Sequence, residues 1–128
     1  MPTTNRILVA DDDPDIRDVL KRVLSARGCQ VETVADGEAA LEALRREPPD
    51  ALLLDLELPG LSGLEVLSRI KEEGLDVVVI TMSGHPVAER HLGPDSVKLG
   101  ASDFILKPFD LAHLENTLLA RLQSLDRE

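Results

Sequence analysis

The segment Ala51-Leu52-Leu53-Leu54-Asp55-Leu56-Glu57-Leu58-Pro59-Gly60 decides how this chain is read. Its aliphatic run has the length of a strand buried on both faces, and Asp55 closes that run just before a Pro-Gly turn. A carboxylate in that place stands at the edge of a sheet, where parallel α/β sheets put their ligands. Two other segments share the pattern. Asp11-Asp12-Asp13 follows Ile7-Leu8-Val9-Ala10, and Lys107-Pro108 follows Phe104-Ile105-Leu106. Strand ends bearing acids, one acid and a lysine predict a single shared site.

The rest of the chain alternates short apolar runs with helical patterns. Asp13-Pro14 marks a helix start, with an N-cap followed by proline at the first helical position. Ile16, Val19, Leu20, Val23 and Leu24 then form one face up to Gly28. Val31 to Val34 alternates like a strand, and Asp36-Gly37 opens a helix with Ala40, Leu41 and Leu44 inward, stopped by Pro48-Pro49. Ser62-Gly63-Leu64-Glu65 has the spacing of a capping box ahead of Val66, Leu67 and Ile70. Val77 to Ile80 is β-branched throughout, as suits a central strand, and Asp103 to Leu106 reads as a shorter one. Asp110 caps a last helix with Leu111, Leu114, Leu118, Leu122 and Leu125 on its inner stripe. This alternation predicts an α/β domain with a five-stranded parallel sheet and helices on both faces.

Composition narrows the function. The 128 residues suffice for one domain, and with only two aromatic residues, Phe104 and Phe109, the core must be aliphatic. A formal net charge of −10 opposes binding to nucleic acid or to an anionic membrane surface. Cys29 is the only cysteine, so no internal disulfide can form and a reducing compartment is expected; its plain reading is a small buried residue. With no signal-peptide pattern and no bilayer-length apolar stretch, a soluble cytoplasmic protein is expected.

Asp13 is accounted for as a helix cap. Asp11 and Asp12 are not, because adjacent carboxylates repel and a cap needs only one. Carboxylates drawn together call for a cation, and all-oxygen ligands suit Mg²⁺ better than zinc. Pro108 biases Lys107 toward an extended backbone and allows a cis bond, a turn that can aim the lysine at a neighbouring strand end. Carboxylates, a hard cation, a lysine and a hydroxyl on one rim suit phosphoryl transfer.

At these residues the chain resembles the receiver domains of two-component response regulators, nearest in motif to those of the nitrogen-regulation type. The likeness rests on Ile7 to Pro14, Leu54 to Gly63, Ser83-Gly84-His85 and Asp103 to Phe109, in that order and spacing. It implies a flavodoxin-like (βα)5 fold with strand order 2-1-3-4-5, occupying residues 6–125 between tails at 1–5 and 126–128. It also implies that Asp55 accepts a phosphoryl group from a sensor histidine kinase or phosphotransfer protein. Mg²⁺ would be held by Asp11, Asp12, Asp55 and the backbone carbonyl of Glu57, and Lys107 would pair with Asp55 and then with the phosphoryl oxygens. By its resemblance to nitrogen-regulation-type receivers, in its distance from Asp55 and its neighbour Gly84, Ser83 would be the switch hydroxyl, with Thr81 the alternative on the same face of the strand. Phe104 matches the family's switch aromatic. The resemblance places an output domain or a homodimer contact on the face of helix 4, strand 5 and helix 5, in a stand-alone receiver or in one belonging to a longer regulator. The residues after Leu125 hold no DNA-binding or ATPase domain.

The chain departs from the family between His85 and Gly100. A proline inside a helix costs about 3 kcal/mol, so a broken fourth helix is expected, with Pro94 restarting it at the first position. His85, His91 and His113 are read as surface residues. Two other functions compete: a receiver-like protein-binding module that works without phosphorylation, and a Mg²⁺-dependent phosphohydrolase with an aspartyl nucleophile. The hydrolase is disfavoured by Glu57, which stands where such enzymes carry a second aspartate, and by the lack of room for a cap domain.

Overall fold

The computed structural model describes residues 5–84 and 92–126. Strands and helices alternate as β1 (Arg6–Ala10), α1 (Pro14–Ala26), β2 (Gln30–Val34), α2 (Gly37–Arg46), β3 (Ala51–Asp55), α3 (Gly63–Glu73), β4 (Val78–Ser83), α4 (Leu92–Lys98), β5 (Asp103–Leu106) and α5 (Leu111–Asp126). The strands form one parallel sheet in the order β2-β1-β3-β4-β5. This is the flavodoxin-like fold expected from the sequence.

Strand side chains alternate between two aliphatic layers because successive residues point to opposite faces. Leu8, Leu52, Leu54 and Val79 join Ala40 and Leu44 of α2 and Val66, Leu67 and Ile70 of α3. Ile7, Val9, Leu53, Ile80 and Met82 join Leu20 and Leu24 of α1 and Leu114, Leu118 and Leu122 of α5. Removing this apolar surface from water, at about 25 cal/mol per Å², is the main force holding helices to sheet. Cys29 is only partly buried against the second layer.

The caps explain the helix starts. The Asp13 side chain accepts from the N–H of Asp15, Asp36 from Ala39 and Ser62 from Glu65. The capping box is altered, however: the Ser62 hydroxyl also donates to the Glu65 carboxylate at 3.3 Å. At the amino ends of the strands Asp50 ties β1 to β3, accepting from the Arg6 N–H at 2.7 Å while its own N–H donates to the Arg6 carbonyl at 2.9 Å.

Two expectations need correction. β4 begins at Val78 and runs on to Ser83, because pairing with β3 and β5 continues past the β-branched run. Helix α4 begins at Leu92, which puts Pro94 at its third position rather than its first. The first four N–H groups of a helix have no intrahelical acceptor, so proline there forfeits no hydrogen bond. The upstream part of the expected broken helix, with His85 and His91, lies outside the described residues. His113 is exposed on α5. Among the described residues no helix is long and apolar enough to cross a membrane.

Candidate phosphoryl-transfer site

The parallel sheet brings the carboxyl ends of β1, β3, β4 and β5 to one rim. The register sets Leu54 beside Ala10 and Thr81, and Asp55 beside Met82. Asp11 and Asp55 therefore follow or close adjacent central strands and reach the same place. Pairing continues beyond β3, where the Leu56 N–H donates to the Met82 carbonyl at 2.9 Å. The chain then turns sharply enough that a Cβ at Gly63 would lie 2.5 Å from the Asp55 carbonyl oxygen, so only glycine fits there.

Carboxylate oxygens of Asp11, Asp12 and Asp55 lie within 4.8 Å of one another. Asp11 is fully buried and Asp55 nearly so, whereas Asp12 is exposed. Asp11 Oδ1 accepts from the Asp13 N–H at 2.9 Å, and Asp55 Oδ1 from the Glu57 N–H at 2.9 Å. The second oxygen of each faces Lys107, whose Nζ lies 2.7 Å from Asp11 Oδ2 and 3.1 Å from Asp55 Oδ2. Among the described residues Asp11 Oδ2 has no directed hydrogen bond, so the ammonium beside it acts as a charge partner.

Lys107 is positioned by its backbone. Its N–H donates to the Ser83 carbonyl at 2.9 Å, and the peptide bond to Pro108 is cis. A Cβ at Gly84 would lie 3.3 Å from the Lys107 Cβ, so the small residue makes room for the lysine stem.

The charges act on one another. Burial pushes the Asp55 carboxyl above its ordinary range; the Glu57 N–H and the Lys107 charge pull it back, and Asp11 pushes it further up. For Lys107 burial works downward, but the Asp11 carboxylate and the Asp55 charge outweigh it and raise the ammonium above its usual value. Lys107 is therefore held protonated. Among the described residues three converging carboxylates still face one ammonium. An all-oxygen donor set, a buried Asp11 oxygen without a directed hydrogen bond and an exposed edge at Asp12 fit a hard divalent cation such as Mg²⁺.

The two candidate hydroxyls occupy different surroundings. Ser83 is fully buried at the end of β4 and donates to the Glu57 carboxylate. Thr81, also fully buried, shares a 2.8 Å hydrogen bond with Ser96 of α4 and donates to the Asp103 carbonyl at 3.3 Å. Phe104 pairs with Thr81 across β4 and β5 and is partly buried. Sequence reasoning did not find the Lys107–Asp11 pair, the Ser83–Glu57 bond or the Thr81–Ser96 bond. Glu57 alone offered a signal, being the carboxylate next after Asp55.

A doubly wound parallel sheet with an acid-lined rim and a lysine across it defines a class of α/β domains that bind ligands at the carboxyl ends of their strands. The chain belongs to the response regulator receiver domain family, whose pattern matches residues 7–119. This is a signalling family of two-component systems rather than a family of catalytic enzymes. It is 42% identical over 123 residues to the response regulator MprA of Mycobacterium leprae, an alignment covering 95% of this chain and 51% of that protein. The chain thus spans about half the length of the curated relatives it matches. It is 36% identical to the receiver domain of NtrX from Brucella abortus, with a TM-score of 0.83 over 91% of this chain and 98% of that one. The chemotaxis protein CheY4 of Vibrio cholerae is 25% identical, with a TM-score of 0.81 over 92% of this chain and 98% of that chain.

Proposed function

We propose that Asp55 accepts a phosphoryl group from a phosphohistidine of a sensor histidine kinase or phosphotransfer protein. The observation that carries this reading is the Lys107 ammonium within 3.1 Å of Asp55 Oδ2 and 2.7 Å of Asp11 Oδ2, beside three converging carboxylates. An Asp55 oxygen attacks phosphorus, a new O–P bond forms, and the P–N bond to the donor imidazole breaks. Lys107 favours the ionised, nucleophilic form of Asp55 and then pairs with a phosphoryl oxygen. Asp11, Asp12, Asp55 and the Glu57 backbone carbonyl would hold Mg²⁺. When bound, that ion supplies positive charge against the oxygens of the transferring group.

Ser83 then meets the phosphoryl group, and Phe104 and α4 shift with it. Such a switch requires the phosphoryl group to favour the active arrangement by on the order of a few kcal/mol. The signal leaves through the surface of α4, β5 and α5, toward an output domain or a second copy. The receiver unit spans residues 6–125 and works in the cytoplasm, which suits a chain whose lone cysteine can form no internal disulfide.

Intact-mass spectrometry after incubation with acetyl phosphate tests the assignment. One phosphoryl gain is expected with Mg²⁺, and none with a chelator or in Asp55→Asn. A gain that persists in Asp55→Asn would overturn it, and free phosphate released over many turnovers would point to hydrolysis instead.

A further inference from the structure

Glu57 touches both sides of the site. Its N–H donates to Asp55 Oδ1 at 2.9 Å, and its carboxylate accepts the hydrogen bond from the Ser83 hydroxyl. Ser83 is fully buried while Glu57 is exposed, so this bond holds the hydroxyl toward an anion at the rim. The arrangement is built into the sheet: the Leu56–Met82 bond fixes the turn after β3 against the end of β4.

A serine hydroxyl has one proton to donate. While Ser83 gives it to Glu57, it cannot give it to a phosphoryl oxygen on Asp55. We propose that the Glu57 carboxylate is a positioning group that competes with the phosphoryl group for the Ser83 hydroxyl, and so sets how readily phosphorylation switches the domain. The inference rests on the reading of Asp55 as acceptor and Ser83 as the responding hydroxyl. A contact made only in the resting arrangement lowers affinity for whatever favours the other one by the same factor. For a charge-assisted bond at an exposed rim that factor is roughly 3- to 10-fold.

The test is calorimetric titration of the full chain with beryllofluoride, a phosphoryl mimic, at saturating Mg²⁺. Glu57→Ala, Glu57→Gln, Ser83→Ala and the double variant Glu57→Ala/Ser83→Ala are compared with wild type, each checked by thermal melting. Glu57→Ala is expected to tighten binding by roughly 3- to 10-fold, and to change nothing when Ser83 is already alanine. Glu57→Gln removes the charge but keeps an acceptor oxygen, so it should fall between wild type and Glu57→Ala. Equal tightening with and without Ser83, or identical behaviour of Glu57→Gln and Glu57→Ala, would mean that only charge matters and would overturn the proposal. So would no tightening at all. The two Glu57 variants alone decide the matter if Ser83→Ala does not fold. A wild-type chain that takes up neither beryllofluoride nor a phosphoryl group would instead remove the acceptor assignment itself, and this inference with it.

Discussion

The two rims of the sheet use the same kinds of residue to different ends. At the amino rim Asp50 accepts the Arg6 N–H, while the Arg6 guanidinium reaches the Glu47 and Pro48 carbonyls and the Glu47 carboxylate. There the Arg6 guanidinium is paired with the Glu47 carboxylate, and Asp50 is satisfied by backbone N–H. At the carboxyl rim, among the described residues, Asp11, Asp12 and Asp55 face one ammonium, and two of these three acids are buried. Matched groups stitch a fold together, whereas a surplus of one charge awaits a ligand of the other.

The largest effect that sharpens this contrast is Mg²⁺ binding. At a concentration one hundred times its dissociation constant, an ion that binds only the folded chain adds about 2.7 kcal/mol of stability. Thermal melts should show that gain in wild type and in Asp50→Ala, and much less of it in Asp11→Ala. Equal gains in all three would place the ion elsewhere.

Lys107→Met should come next. In chelator at neutral pH it leaves the Asp11 and Asp55 carboxylates without their ammonium and should cost about 2 kcal/mol in denaturant unfolding. The cost should shrink as the pH falls and Asp55, whose carboxyl is pushed up by burial, takes up its proton. Asp55 has its own pH signature. Its folded-state pKa lies above the unfolded one, so its charge penalises folding at pH values above both, and the penalty is relieved as pH falls through the folded value. Asp55→Asn should therefore raise the melting temperature in chelator at neutral pH, with the gain fading toward acid. A gain that grew on acidification would contradict the burial argument.

Smaller effects belong to the matched groups. Asp50→Ala should cost about 1 kcal/mol through the lost Arg6 contact and leave phosphoryl gain from acetyl phosphate unchanged. Arg46→Ala, which breaks an exposed pair with Glu32, should change stability by no more than ~0.5 kcal/mol in the same assay. A phosphorylation defect in either would blur the distinction between the rims.

What could be read in the sequence was local or periodic. The caps at Asp13, Asp36 and Ser62, the aliphatic runs and the strand ends at Asp11, Asp55 and Lys107 each depend on a few neighbouring residues, and the fold follows from their alternation. The Lys107–Asp11, Ser83–Glu57, Thr81–Ser96 and Asp50–Arg6 contacts depend on which strands lie side by side and in what register, and only the folded sheet supplies that. The start of α4 escaped for a different reason. A proline is tolerated throughout the first helical turn, whose N–H groups have no intrahelical acceptor, so Pro94 alone does not mark the boundary.

The central claim is that the surplus at the carboxyl rim captures a phosphoryl group on Asp55 and on no other acid. Its most direct test is to phosphorylate the chain with acetyl phosphate and Mg²⁺, reduce the acyl phosphate with borohydride, and map the resulting homoserine by tandem mass spectrometry. The account predicts homoserine at position 55 alone, formed only when Mg²⁺ is present. Homoserine at position 11, 12 or 50, or none from a folded chain that binds Mg²⁺, would contradict it.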